Sequence, residues 1–288
     1  MVEQLRQEGH SVSFLCETFG ISRSGYYSRR KKKGGKANKP ARKDDKALLV
    51  LTRKICEAHP FWGYRRVRAW LKHREGITVN CKKVYRIMRE NGLTVKRTIH
   101  KAKRTPQRSK PRATRPRQFW GIDMTKFLIN TLGWVYLVLV LDWYTKKIVG
   151  WKVSLRSRSQ EWREALEMGI SREFPQGVRG ADLKLISDNG SQPTSTSFMK
   201  DMKTLEIEQI FTSYDNPKGN SDTERVIRTM KEELLWLNEF SSLEEAREKI
   251  ESWIGMDYNQ LYVHSTLEYL SPMEFEEKYN QEILKQAA

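Results

Sequence analysis

The sequence predicts an α/β protein in which a mixed-sheet domain follows small all-α modules. Apolar residues recur with helical spacing through residues 1–93, whereas short apolar runs alternate with helical segments from residue 119 onward. The charge also changes between the two halves. Residues 1–117 hold 33 Lys and Arg against 8 Asp and Glu, and residues 118–288 hold 20 against 27. A basic helical half therefore precedes an acidic α/β half.

The basic half predicts binding to a polyanion. The whole chain carries a net charge of +18, and all of this excess lies in residues 1–117. Neutralising DNA phosphates with Lys and Arg releases counterions and supplies much of the affinity of such proteins. A solvated basic face that only maintains solubility is the alternative, but solubility does not require the charges to be segregated.

Residues 1–33 form the first predicted module, a segment of helix-turn-helix type. Residues 12–19 are apolar with helical periodicity, Gly20 is suited to end that helix, and Ser22 is suited to cap the next one. Residues 34–43 follow as a basic linker, too poor in apolar residues to bury a core.

Residues 44–93 form the second predicted module, a helical DNA-binding unit. Asn80 is a good N-cap for its last helix, and Gly92 stands where a helix commonly ends. That helix presents four basic residues outward, so it could read bases in a major groove or contact phosphates, and the composition favours phosphate contact. The four residues are Lys82, Lys83, Arg86 and Arg89.

The acidic half begins after a second basic linker that contains three prolines, residues 94–118. We expect a mixed-sheet α/β domain at residues 119–240 and a C-terminal helical segment at residues 241–288. The predicted order is three strands, a helix, a strand, a helix, a strand and then helices, which favours an antiparallel meander extended by parallel strands. The predicted elements are strands at 119–125, 134–142, 147–153, 183–187 and 207–211, and helices at 159–170, 195–205, 222–240 and 243–258.

Three carboxylates stand where this pattern needs no acid. Asp123 interrupts an apolar strand, Asp188 follows one, and Glu224 lies in the first turn of a long helix. Acids on neighbouring strands lie about 4.8 Å apart across the sheet and can converge on one metal ion. Each acid alone could equally be structural. Together they form the candidate catalytic and metal-binding set.

The helix that carries Glu224 supports this interpretation. At about 100° per residue, Glu224, Arg228 and Lys231 share one face, and an apolar stripe that ends at Leu237 runs along another. Such a face is suited to line a phosphate-binding cleft, although surface ion pairs would show the same spacing. Phosphodiester chemistry on a carboxylate set needs divalent cations, and hard oxygen ligands select two Mg²⁺ or Mn²⁺ ions.

Cysteine usage and hydropathy exclude several other classes. Cys16, Cys56 and Cys81 are widely spaced and lack a CxxC pair, which argues against a zinc module or a disulfide scaffold. The longest strongly apolar run, residues 134–141, is far too short to cross a bilayer, and residues 1–10 are polar. We therefore expect a cytoplasmic protein without a membrane partner.

These residues resemble the downstream-frame transposase of IS3-type bacterial insertion sequences, a group related to retroviral integrases. The resemblance is carried by WGIDMT around Asp123, SDNGSQ around Asp188 and DNPKGNSDTE, which ends at Glu224. Thirty-five residues separate Asp188 from Glu224, which is the spacing of that superfamily. Upstream, HPFWGYRR at 59–66 resembles the family's helical DNA-binding module. Downstream, Tyr258-Asn259, His264 and the Leu-Ser-Pro ending at 272 resemble its C-terminal signature.

The resemblance implies an RNase H-like fold, DDE chemistry and strand transfer by a free 3′-hydroxyl. It implies that Lys231 lies near the transferred DNA end, and we add Arg228, Lys218, Arg65 and Arg66 to the expected DNA contacts. The implied partners are the element's terminal repeats and target DNA, further copies of the chain on DNA, and an upstream-frame protein of the same element. The implied location is the bacterial cytoplasm, associated with the nucleoid through DNA.

Two alternatives remain open at this stage. An RNase H-like nuclease or integrase of another lineage would cleave DNA without joining it. A DNA-binding regulator of a full transposase would be catalytically silent alone. The position of Lys231 and the C-terminal signature argue against the first, and the intact acids argue against the second.

Overall fold

The computed structural model describes five stretches of the 288-residue chain, which are residues 5–6, 8–27, 43–95, 111–212 and 219–287. The chain forms two compact units, residues 1–48 and residues 49–288. In the described part of the chain, no helix has both the length and the apolar character that a membrane span requires.

The first unit contains the helices expected from the caps. Helix α1 (Val12–Thr18) begins at Ser11, whose hydroxyl accepts a hydrogen bond from the amide of Phe14. Gly20 follows the helix with a φ of 60°, a conformation that glycine adopts without strain. Ser22 then accepts from the amide of Gly25 at 3.1 Å, and residues 23–27 are helical.

Residues 49–93 form a helical module in the second unit. Helix α2 (Lys43–Ala58) leads into it, and α3 (Tyr64–His73) and α4 (Cys81–Glu90) complete it. Asn80 caps α4 by accepting from the amide of Lys82 at 2.8 Å, and Gly92 takes a φ of 69° after the helix, as expected.

Five strands form one mixed sheet in the order β3-β2-β1-β4-β5. Strands β1, β2 and β3 make an antiparallel meander, and β4 and β5 are added in parallel beside β1. This arrangement is the meander with parallel additions that the order of elements predicts, and it is the RNase H-like sheet that the resemblance implies. Its strands are β1 (Phe119–Ile129), β2 (Gly133–Asp142), β3 (Ile148–Ser154), β4 (Lys184–Ser187) and β5 (Glu208–Phe211).

Helices cover both faces of the sheet. On one face, α5 (Ser159–Glu173) and α6 (Thr196–Thr204) enclose a core that includes the fully buried Trp120, Trp162 and Phe198. On the other face lie α7 (Ser221–Met230) and α8 (Leu243–Ser252). Because side chains alternate along a strand, Asp123 lies on the α7 face and its neighbours Ile122 and Met124 lie on the core face.

The long helix expected at 222–240 is shorter and less regular than predicted. Helix α7 ends at Met230 and continues as a π-helical turn, Lys231–Leu235. Val226, Met230 and Leu234 are buried as the apolar stripe predicts, but Leu237 is 46% exposed. Inclusion of Leu237 in the stripe was wrong, because the π-helical turn changes the angular spacing of the residues that follow it.

The C-terminal segment packs against the β2–β3 hairpin. Helix α8 continues as a π-helical stretch, Trp253–Leu261, and α9 (Pro272–Ala287) ends the described chain. The buried amide of Asn259 accepts from the backbone N–H of Ile148 and donates to its carbonyl, both at 3.0 Å. The hydroxyl of Tyr258 donates to the carbonyl of Lys146 at 3.0 Å. These two residues of the predicted C-terminal signature therefore join the C-terminal segment to the backbone at the start of β3.

In the described part of the chain, hydrogen bonds join the helical module to the rest of the second unit in two places. The guanidinium of Arg74 donates to both carboxylate oxygens of Glu274, at 2.6 and 2.9 Å, and to the carbonyl of Leu261 at 3.2 Å. The indole of Trp62 donates at 2.7 Å to Glu233, whose side chain is 5% exposed and lies in the π-helical turn after α7. Charge-assisted bonds of this kind are strong when they are shielded from water.

Gly121 allows α7 to lie directly on β1. A Cβ atom at this position would lie 2.1 Å from the hydroxyl oxygen of Thr223 and 2.4 Å from the indole nitrogen of Trp143. Gly121→Ala is therefore expected to lower the free energy of unfolding by about 1–3 kcal/mol through overpacking. Chemical denaturation would measure this. Gly255→Ala is the control, because a Cβ there meets nothing within 4 Å, and equal stability of the two variants would contradict the close approach.

The pH dependence of stability contains a contribution from His264. Burial and nearby cations lower its pKa from 6.5 to about 4. Between these values the unfolded chain binds a proton that the folded chain does not, so this residue reduces stability as pH falls from 6.5 to 4, by at most about 3 kcal/mol. We expect His264→Gln to flatten the pH profile of the unfolding free energy across this range. An unchanged slope in parallel denaturation series would refute the assignment.

Candidate active site

Asp123 lies at the centre of the α7 face. Its Oδ1 atom accepts a hydrogen bond from the amide of Met124 at 2.7 Å. The pKa of Asp123 is raised to about 7, mainly by burial and also by the charges of Asp188 and Glu224, while the hydrogen bond from Met124 opposes the shift. The charge of Lys231 lowers it. Asp123 therefore experiences the fields of both other predicted acids and of the predicted basic residue.

Asp188 lies on the same face of the sheet as Asp123 because β1 and β4 are parallel neighbours. Gly121 pairs with Ile186, and Asp123 and Asp188 each lie two residues beyond that pair. Because side chains alternate along strands, both acids belong to the same face of the sheet. Asp188 is exposed, and its Oδ1 accepts from the amide of Gly190 at 3.0 Å, which closes the turn after β4.

Glu224 is held near these acids by the start of α7. The side-chain amide of the buried Asn220 donates to the carbonyl of Ile122 at 3.1 Å, and the hydroxyl of Thr223 contacts the Trp143 indole at 3.3 Å. The helix is thereby fixed to β1 one residue before Asp123. Glu224 itself is exposed.

The donor chemistry of the three acids fits a hard divalent cation. Carboxylate oxygens are the ligands that Mg²⁺ and Mn²⁺ prefer, and the mutual repulsion expressed in the pKa of Asp123 would be relieved by positive charge. Among residues 5–6, 8–27, 43–95, 111–212 and 219–287, however, no three acidic, His or Cys side chains surround a single metal position. The backbone places the acids around the α7 face of the sheet, and their side chains do not converge on a point.

The two basic residues after Glu224 have different surroundings. Arg228 is exposed and pairs with Glu232 at 2.8 Å, an i, i+4 contact of the surface kind. Lys231 is partly buried at the start of the π-helical turn, and its charge acts on Asp123. Lys231 therefore belongs electrostatically to the carboxylate site.

The remaining predicted DNA contacts are distributed over the helical module. Lys82, Arg86 and Arg89 are exposed on α4, and Lys83 is partly exposed. On α3, Arg65 is exposed. Arg66 points inward, 3.8 Å from Glu233 and stacked 5.0 Å from the centre of the Tyr262 ring. Lys218 lies outside the described residues.

Sequence reasoning missed the residues that hold the site together. Asn220 and Gly121 both belong to the family motifs given above. Nothing in those motifs indicates that Asn220 fixes helix α7 to β1 by a hydrogen bond, or that Gly121 leaves the space that the helix occupies. Asp142, in contrast, is an acid on a strand that has no place in the carboxylate site. It is a 2% exposed acid that accepts hydrogen bonds from the amides of Arg117 and Tyr144 and the indole of Trp120, at 2.6 to 3.1 Å. With both oxygens occupied, Asp142 has a structural role.

Comparison with known proteins connects these features to a family. Residues 43–102 match the HTH-like domain, and residues 113–217 and 205–272 each match an integrase core domain. The transposase for insertion sequence element IS904 of Lactococcus lactis is 32% identical over 219 residues, 72% of this chain and 84% of the relative.

Two further relatives align along nearly the whole chain. Transposase InsF of insertion sequence IS3A from Escherichia coli is 26% identical over 94% of this chain and 96% of its own length. The 31 kDa protein of insertion element IS600 from Shigella sonnei is 28% identical over 93% and 99%. The chain therefore belongs to the IS3 family of insertion-sequence transposases and is a DNA transposase of the DDE class.

Proposed function

We propose that Asp123, Asp188 and Glu224 are the catalytic carboxylates with which this transposase cleaves the ends of its element and joins the freed 3′-hydroxyl to target DNA. The observation that carries the proposal is the position of the three acids around the α7 face of the sheet, where the charges of Asp188 and Glu224 both raise the pKa of Asp123. No other set of acids in the described part of the chain combines this coupling with the quoted family motifs. Asp142, the nearest competitor, is saturated by hydrogen bonds.

The DDE superfamily generally uses divalent metal ions, and we propose two Mg²⁺ or Mn²⁺ ions held by Asp123, Asp188 and Glu224. Such ions activate the attacking oxygen and stabilise the leaving oxyanion. Within the protein, burial of Asp123 favours the uptake of positive charge. Lys231 supplies a fixed cation beside the acids, suited to hold the phosphate next to the reacting one.

DNA is the substrate, and we propose that residues 44–93 contribute most of the binding that does not depend on metal. The exposed cations on α3 and α4 are suited to contact backbone phosphates. We assign Lys218, Arg228 and Lys231 to the DNA end at the catalytic domain, residues 119–240. Residues 1–33 would add a further helix-turn-helix, joined through the basic linker 34–43. The linker 94–118 would connect the helical module to the catalytic domain, and residues 241–288 would support that domain.

Two element ends must meet at one target, and therefore we propose that the chain acts as a dimer or larger assembly on DNA. An upstream-frame protein of the same element is the second proposed partner. Light scattering of the purified chain with and without paired end duplexes would establish the assembly. Addition of the upstream segment would show whether joining depends on it.

Replacing any one of the three acids with its amide is expected to abolish strand transfer and leave DNA binding nearly unchanged. Asp123→Asn, Asp188→Asn and Glu224→Gln each remove a charge that metal binding requires, whereas the basic half of the chain is untouched. The measurement uses labelled DNA carrying the element's ends, Mg²⁺ or Mn²⁺, and gel analysis of joined products. Glu251→Gln, an exposed acid on α8, is the matched control and should join DNA as the wild type does.

The possible outcomes separate the competing functions. Joining that persists in any one amide variant would overturn the three-carboxylate assignment. Cleavage without joined products in the wild type would favour a nuclease. Binding without any product would favour a chain that is silent without an upstream segment.

Binding to DNA is expected to weaken steeply with salt. A protein that contacts six to ten phosphates loses roughly 10³- to 10⁵-fold in affinity between about 50 and 200 mM salt, and the net charge of residues 1–117 suits that range. Fluorescence anisotropy over a salt series would measure the slope, with sucrose at equal osmolality as the control. A flat salt response would contradict the role given to the basic half.

A further inference from the structure

A cavity of about 210 Å³ lies on the side of α7 that faces away from the carboxylates. Its walls come from four parts of the second unit: Arg66 of α3, Lys146 of the β2–β3 turn, Arg225 of α7, and Tyr262 with His264 of the C-terminal segment. A cavity needs only about 10–15 Å³ to hold one water. This cavity therefore admits a group of many atoms.

The helix geometry separates the cavity from the active site. Asp222, Arg225 and Thr229 line the cavity, and at 3.6 residues per turn they lie roughly 100–160° around α7 from Glu224. The helix is about 10 Å across, so a group in the cavity and a group at Glu224 contact different sides of the same element. A ligand in the cavity would act on α7 without occupying the carboxylate site.

The cavity carries an excess of positive charge. Of the three cations among the described lining residues, Lys146 is paired with Asp222 at 3.0 Å and also donates to the carbonyl of Trp143. Arg66 is only loosely paired, 3.8 Å from Glu233. Arg225 forms no ion pair with any residue in the described part of the chain and is exposed. Two of the three cations therefore have binding capacity left for an anion.

The three cations of the cavity also act on His264. The pKa of His264 is lowered to about 4, mainly by burial and also by the charges of Lys146, Arg66 and Arg225, while the charge of Asp222 opposes this shift. His264 is therefore neutral at neutral pH and adds no charge of its own. Its ring shares a hydrogen bond with the hydroxyl of Thr266 at 2.9 Å, on the wall of the cavity.

The lining combines the chemistry that a phosphodiester requires. Arginine guanidinium groups form forked, charge-assisted bonds to phosphate oxygens, and the exposed hydroxyls of Ser265 and Thr266 can donate further bonds. The ring of Tyr262 and the side chain of Val226 give the wall an apolar part, against which a sugar can pack. A small inorganic anion would use only the charged part of this lining.

We propose that this cavity binds a backbone phosphate of DNA, at a position separate from the phosphate that reacts at the carboxylates. One phosphate would then contact the helical module through Arg66 and the catalytic helix through Arg225, so that DNA binding itself holds the two parts together. The inference rests on the proposed function only in that DNA is the ligand.

The test measures the binding of duplex DNA by the full chain over a salt series with EDTA present. Arg225→Gln removes the uncommitted cation, and Ser265→Leu fills the exposed rim of the cavity without a change in charge. Each should weaken DNA binding. Each should also reduce the magnitude of the slope of log K against log[salt] by up to about 0.9, the contribution of one phosphate. Arg247→Gln, an exposed arginine on α8, is the control for loss of a surface charge and should retain the wild-type slope. Circular dichroism would verify that each variant is folded.

A second arm distinguishes DNA from a free anion. Thermal unfolding with added inorganic phosphate reports whether the cavity takes the anion alone. The proposal would be overturned if phosphate stabilised the wild type while the salt dependence of DNA binding was unchanged in both variants. It would also be overturned if the slope of log K against log[salt] in both variants equalled that of Arg247→Gln. Because EDTA removes divalent ions, failure of the carboxylate assignment would appear as retained joining in the amide variants and would leave these slopes unaffected.

Discussion

The arrangement of the catalytic side of this protein depends on the approach of helix α7 to strand β1. Only a glycine at position 121 leaves room for the hydroxyl of Thr223 and the indole of Trp143. Asn220 then binds the carbonyl of Ile122, and the position of Glu224 relative to Asp123 follows. The contact has a cost, because the Oδ1 atom of Asn220 is buried without a partner in the described part of the chain. A buried unsatisfied acceptor costs about 1–3 kcal/mol, which the surrounding packing must offset.

Much of this fold could be predicted because it is determined locally. Short apolar runs give the strands, Ser22 and Asn80 give the helix starts, and the order of the elements favours an antiparallel meander extended by parallel strands, which is the observed sheet. Asp123 and Asp188 could be expected on neighbouring strands from the same order of elements. The clamp at Asn220 and the π-helical turn after Met230 could not be predicted, since each depends on contacts between residues far apart in the chain.

The helical module is a structural part of the catalytic unit as well as a candidate DNA-binding element. Glu233 follows directly in the chain from the helix that carries Glu224, and it accepts a hydrogen bond from Trp62 while Arg66 and His59 lie within 4 Å of it. Arg74 makes a second connection at Glu274. The π-helical turn belongs both to the carboxylate site and to the contact with the helical module. It contains Lys231, whose charge acts on Asp123, and Glu233, which is buried against the module.

The contact at Gly121 also limits how the family can diverge. The space above β1 is shared between position 121 and the side chains of Thr223 and Trp143, and the Thr223 hydroxyl would lie closest to an added Cβ atom, so a larger residue at position 121 requires a smaller one at position 223 as well as a shift of the Trp143 indole. Substitutions at these two sites are therefore not independent. A lineage that gained a methyl group on the strand would need a compensating loss on the helix, and the two positions should covary even though 101 residues of chain separate them.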